Sequence, residues 1–137
     1  MSVNGAPFEV RPTMSRSGPL KLKIMLFCGD HTAMGPGKAE LLEAIAAEGS
    51  ISAGARVMGM SYRRAWLLVD TMNRSWTQPL VETSVGGGAR GGARLTPFGE
   101  QVLKAYRALE THLMSSAVGG PFEVLAEGVL PAPRPPA

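Results

Sequence analysis

The chain has 137 residues, 45% of them hydrophobic, and a formal net charge of +3. That length suits one domain with a real core, and no apolar run approaches the roughly 20 residues that a membrane-spanning helix needs. A single cysteine, Cys28, excludes an intramolecular disulfide, and with no signal-like apolar stretch near the start it points to a reducing, cytoplasmic setting.

The charge is unevenly spread. Residues 50–96 carry Arg56, Arg63, Arg64, Arg74, Arg90 and Arg94 against Asp70 and Glu82, a local net of +4, while the rest of the chain nearly cancels. All these cations are arginines, which suit bidentate contacts to phosphate and guanine better than lysines do. An ordinary solvated basic surface is the plainer alternative for this feature taken alone.

Residues 1–19 mix Gly, Pro, Ser and scattered charge without period and read as a flexible arm. Leu20 to Leu26 then alternates strictly, with Leu20, Leu22, Ile24 and Leu26 on one face, which predicts a half-buried strand. Cys28 and His31 are too few to hold a metal and read as part of a turn. Gly35-Pro36-Gly37 opens a helix whose apolar stripe is Leu41, Leu42, Ile45 and Ala46, with Lys38, Glu40, Glu43 and Glu48 mainly toward solvent, and Gly49 stops it.

The informative stretch is 50–66. Ser52 is a plausible N-cap for a short helix that Gly59 ends, and Ser61 caps a second helix running from Tyr62 to about Trp76. Cap, short helix, glycine turn, cap and longer helix are the grammar of a helix-turn-helix, whose second helix enters the DNA major groove. Arg63 and Arg64 stand in its first turn, the end that meets DNA first. Tyr62 and Trp66 can equally pack inward or lie along the groove. Pro79 ends the helical pattern.

Leu80–Val85 and Ala93–Leu95 read as two strands joined by the glycine-rich tip Gly86–Gly92. A flexible, arginine-bearing hairpin directly after a reading helix is a wing, with Arg90 and Arg94 placed to touch phosphates; a floppy hairpin tip is the plainer alternative. Thr96-Pro97 then starts a long helix, about residues 97–116, with Phe98, Val102, Tyr106, Leu109 and Leu113 near heptad spacing. That stripe could pack on its own domain, but it also suits a dimer seam, and the dimer is the reading preferred. Residues 118–137 read as a proline-rich, flexible tail.

The fold expected is α+β, mainly α: a winged helix-turn-helix over residues 20–117 with a long C-terminal dimerisation helix. His31 and His112 have no nucleophile or carboxylate partner at recognisable spacing, so no enzyme, cofactor or metal is expected. The competing reading is a winged-helix protein-interaction module with weak or no specific DNA binding.

Gly49-Ser-Ile-Ser52, Gly59-Met-Ser-Tyr-Arg-Arg-Ala-Trp66, Asp70-Thr-Met-Asn73, Leu80-Val-Glu82, the glycine loop and Leu95-Thr-Pro-Phe-Gly99 together resemble the DNA-binding domain of ModE-type molybdenum-dependent regulators. The resemblance covers roughly residues 20–116. It implies a LysR-related winged helix, a homodimer on double-stranded DNA, and contacts from Ser52, Ser61, Tyr62, Arg63, Arg64 and Trp66 with wing support from Arg90 and Arg94. Full-length ModE proteins bind molybdate in paired β-barrels after the winged helix. Here only the proline-rich residues 118–137 follow the last helix, so the chain resembles the stand-alone form and no small-molecule effector is expected in it.

Overall fold

A computed structural model describes residues 16–84 and 91–137. The elements run β1 (Arg16–Ser17), β2 (Leu20–Lys21), β3 (Leu26–Cys28), β4 (His31–Met34), α1 (Pro36–Glu48), α2 (Ile51–Val57), α3 (Tyr62–Asn73), β5 (Val81–Ser84), β6 (Gly92–Leu95), α4 (Pro97–Ala117) and α5 (Pro121–Gly128). The strands pair antiparallel as three separate hairpins, β1 with β2, β3 with β4 and β5 with β6. The architecture is the mainly helical α+β winged helix-turn-helix that the sequence predicts.

The strand expected at Leu20–Leu26 is not one strand. Its alternation holds from Leu20 to Met25, with Leu20, Leu22 and Ile24 half-buried and Lys21, Lys23 and Met25 exposed, but fails at Leu26, which is exposed. The backbone nevertheless leaves the ladder between β2 and β3, and the Ile24 carbonyl accepts the Tyr106 hydroxyl of α4 at 2.8 Å. This segment is therefore tied to a helix instead of a strand. Cys28 and His31 face each other in register across the β3–β4 turn, and Cys28 is exposed.

The core gathers around α1. Ala39, Leu41, Leu42, Ala44 and Ile45 are all fully buried, and Ile51, Ala55, Ala65, Val69, Met72, Leu80, Val81, Leu95 and Leu103 close over them. Glu43, expected toward solvent, is instead 5% exposed. α4 brings Arg107 against it: Nη2 and Nε donate to the two Glu43 carboxylate oxygens at 2.7 and 3.0 Å, and Nη1 donates to Glu110 Oε1 at 2.8 Å. Glu110 is fully buried. The hydrogen bond to Glu43 is the main cause of a guanidinium pKa raised above its usual value. Arg107 thus supplies one cation shared between two buried carboxylates, with Glu110 Oε2 left without a partner.

α4 enters the fold through a close backbone contact. Thr96 caps it by accepting the Gly99 amide at 2.8 Å, its hydroxyl donates to the Pro79 carbonyl at 2.8 Å, and its amide donates to the Leu80 carbonyl at 2.9 Å. The first turn then lies so tightly on Leu80 that a Cβ on Gly99 would overlap the Leu80 carbonyl. No rotamer change relieves a clash with backbone. The stripe expected to form a dimer seam mostly serves the chain's own core: Tyr106 is 4% exposed, and Phe98 and Val102 pack against the core cluster. Leu109 and Leu113 alone of that stripe stand out, each 38% exposed. The proline-rich composition of the tail also conceals α5, which starts on Pro121 in the position a first turn favours.

Gly99→Ala should cost about 3 kcal/mol or more, the upper range for overpacking, read as a lowered urea midpoint with an unchanged slope. Arg107→Ala should cost about 3–5 kcal/mol by stranding buried charge, and Arg107→Lys should recover little because a lysine cannot make the bidentate contact.

Candidate nucleic-acid interface

The helix pair is built from local signals. Ser50, not Ser52, caps α2: its Oγ accepts the Ala53 amide at 3.0 Å. Ser52 is instead the second residue of α2 and is exposed. The cap moves upstream because Ile51 must enter the core, where it is 5% exposed. Gly59 takes φ +69°, the left-handed conformation that only glycine adopts cheaply, and Met60 N–H then bonds back to the Ala55 carbonyl at 3.0 Å. Ser61 caps α3 as expected, accepting the Arg64 amide at 3.1 Å.

α3 buries Ala65, Val69 and Met72 on one side. At 100° per residue, Arg63, Leu67, Asp70 and Arg74 fall on the opposite side, with Tyr62 and Trp66 on one shoulder and Arg64 on the other. Tyr62 is 56% and Trp66 45% exposed, so both point outward and their two possible placements resolve to the solvent face. Arg74 Nε donates to Asp70 at 3.1 Å along this face. Lys38, in the first turn of α1, has its pKa lowered by burial and by the charge of Arg64.

α3 ends at Asn73, earlier than the predicted Trp76. Asn73 Oδ1 accepts the amides of Leu80 and Val81 at 2.8 and 3.0 Å, and its Nδ2 donates to the Val81 carbonyl at 3.0 Å. The side chain substitutes for a strand neighbour and turns the backbone into the hairpin. Trp76, freed from the helix, donates Nε1–H to the Ala33 carbonyl at 3.2 Å and stacks edge-on against Phe98.

The hairpin pairs Val81 with Leu95, Glu82 with Arg94, Thr83 with Ala93 and Ser84 with Gly92. Val81, Ala93 and Leu95 face inward, and the Ala93 amide donates to the Gly49 carbonyl at 2.8 Å, pinning the wing base to the α1–α2 corner. Arg94 faces out and bonds Glu82 Oε2 at 2.6 Å. An exposed pair of this kind is weak and readily exchanged for another anion. Arg90 lies outside the described residues. Among the described residues no group of three or more His, Cys, Asp or Glu side chains could hold a metal, and no helix is long and apolar enough to cross a membrane.

An outward helix bearing arginines, steadied by two helices and flanked by a hairpin, defines a winged helix-turn-helix of the nucleic-acid-binding class. Residues 37–100 match the family model of bacterial regulatory helix-turn-helix proteins, lysR family. The chain is 44% identical over 85 residues to the molybdenum transport protein ModE of Azotobacter vinelandii, an alignment covering 62% of this chain and 32% of that protein. It is 40% identical over 116 residues to the molybdenum-pterin-binding protein MopA of Rhodobacter capsulatus, covering 85% of this chain and 42% of MopA. It is 40% identical over 90 residues to the DNA-binding transcriptional dual regulator ModE of Escherichia coli (strain K12), covering 66% of this chain and 32% of that regulator. A MarR family protein from Bacillus stearothermophilus superposes with a TM-score of 0.49 at 18% identity, covering 69% of this chain and 67% of that one. The lysR-family helix-turn-helix model thus spans nearly all of α1, the helix pair, the hairpin and the first turn of α4. The chain spans between about a quarter and two fifths of the length of the curated relatives it matches.

Leu67 belongs to this surface and Asn73 to its support, although the sequence marked neither as a site residue. Asn73→Ala should destabilise the protein by about 2–4 kcal/mol, three hydrogen bonds at about 1 kcal/mol each. Asn73→Asp keeps the acceptor and loses the donor, so it should fall between the two in thermal melting.

Proposed function

We propose that this chain is a sequence-specific DNA-binding transcriptional regulator, working in the cytoplasm as a homodimer and linked to molybdenum metabolism. The observation that carries the reading is the uncovered face of α3, where Arg63, Arg64 and Arg74 surround exposed Tyr62, Trp66 and Leu67 with Asp70 as the one acid. On this reading Arg63 and Arg64 reach base edges or phosphates, Ser61 and Tyr62 contact the backbone, and Trp66 lies along the groove. Arg94, with Arg90 beyond it, meets phosphate from the wing, exchanging Glu82 for DNA. The molybdenum link comes from the relatives' names, and the genes controlled would be those for uptake or use of that metal.

The dimer rests on α4 and α5. Leu109 and Leu113 leave an apolar edge on α4, and α5 buries no residue while exposing Val124 and Leu125 at 72% and 70%. Soluble monomers seldom leave such a run uncovered, and a symmetric pair would read two half-sites one helical turn apart.

Arg63→Ala or Arg64→Ala should weaken specific binding by about 1–3 kcal/mol for a side chain that reads a base. Arg94→Ala should weaken binding to every sequence alike and lower the salt slope by about 0.9. A protein-interaction module would show neither effect. Leu109→Glu with Leu113→Glu should yield a folded monomer in sedimentation equilibrium, with weaker operator binding. A parent chain that sediments as a monomer at tens of micromolar contradicts the dimer.

A further inference from the structure

The arginines account for attraction to DNA but not for the apolar centre of the same face. Leu67 lies opposite the buried side chains Ala65, Val69 and Met72, between Arg63 one turn before it and Asp70 one turn after it. It is 46% exposed, and its neighbour Trp66 45%. The solvent side of a surface helix ordinarily carries polar residues at such positions. The surrounding charge points to one occupant. Arg63, Arg64 and Arg74 ring the apolar centre, and Asp70, the one acid on α3, is already engaged by Arg74 at 3.1 Å. A cationic rim around an apolar centre fits a polyanion that presents methyl groups inside a groove. In the major groove of B-DNA, thymine alone of the four bases offers a C5-methyl beside the path of a reading helix.

We infer that Leu67, aided by Trp66, selects thymine in each half-site through van der Waals contact with its C5-methyl group. This rests on the DNA-reading function above and assigns it a base preference that arginine contacts alone do not supply. Arg63 and Arg74, one turn before and two turns after Leu67, hold the helix in the groove. Leu67 then samples the methyl edge, where cytosine presents a hydrogen and a purine presents ring nitrogen. No protonation or covalent step is involved, so the discrimination should not depend on pH.

The test uses the full chain. Duplexes are first selected from a random-sequence pool at fixed salt. The recovered consensus is then resynthesised with deoxyuridine in place of thymine, one position at a time. That change keeps every base-pairing group and removes only the methyl. At one thymine per half-site the replacement should weaken binding about fourfold, the effect of burying one methyl group. Leu67→Ala should bind the thymine duplex about fourfold more weakly and be indifferent to the replacement at that position. Leu67 supports no core contact and alanine favours helix, so the variant should melt as the parent does.

Indifference of the parent to every replacement overturns the inference. So does a sensitivity that persists in Leu67→Ala, because the methyl is then read elsewhere. A shift in self-association on Leu67→Ala also overturns it, since a second copy would then cover this face. A pool that yields no consensus removes the DNA-reading function itself, which separates failure of that reading from failure of this one.

Discussion

Three parts of this molecule meet at the backbone of Leu80. Asn73, the last residue of α3, accepts its amide at 2.8 Å; Thr96, the cap of α4, donates to its carbonyl at 2.9 Å; and Gly99 lies against it where no side chain fits. α3, the hairpin and α4 are thereby fixed relative to one another at one residue, α4 through main-chain atoms that no rotamer change can repack and α3 through the side-chain amide of Asn73. A second tie, from the Ala93 amide to the Gly49 carbonyl, holds the wing to the corner where the helix pair begins. The consequence is functional: α3 and the described part of the hairpin carry Arg63, Arg64 and Arg94 on backbone that is held in place, so less ordering is required of the main chain when that surface meets a ligand.

The other end of α4 is stabilised differently. Arg107 is shared between Glu43 and Glu110 beneath the surface, so this helix is anchored to α1 by charge as well as by Leu103 and Tyr106. Buried ion pairs of this kind add little net stability, but removing one partner is costly. They favour one seating of α4 over a rotated one in which Leu109 and Leu113 would turn inward. In this seating those leucines remain outside, and α5 contributes no buried residue to the core.

Signals contained within a few residues were legible in the sequence. The Gly59 turn, the Ser61 cap, the Pro36 and Pro97 helix starts and the strand pair around the glycine loop all depend on local backbone chemistry. What misled was decided by distant partners. Two serines flank Ile51, and only the burial of Ile51 selects Ser50 over Ser52 as the cap. The end of α3 depends on bonds from Asn73 to residues seven and eight positions later. Glu43 reads as solvent-facing until Arg107, 64 residues on, is brought against it. Periodicity places Phe98, Val102 and Tyr106 on one stripe but cannot say whether its own domain or a second copy covers them. Tyr62 and Trp66 lie at the edge of the apolar sector, so spacing alone leaves their direction open. The motif Leu95-Thr-Pro-Phe-Gly99 carried its own explanation: threonine as cap and donor, proline for the first turn, and glycine for contact with Leu80.

The central claim is that the outward side of α3, with the wing beside it, is where DNA binds. Amide chemical shifts of the isotope-labelled chain, followed as a selected duplex is added, test it residue by residue. The largest changes should fall on Ser61–Arg74 and on Gly92–Arg94, with the end of α4 beyond Arg107 and all of α5 nearly unmoved. Changes concentrated on α4 and α5 at saturating duplex, with α3 unshifted, would contradict the account.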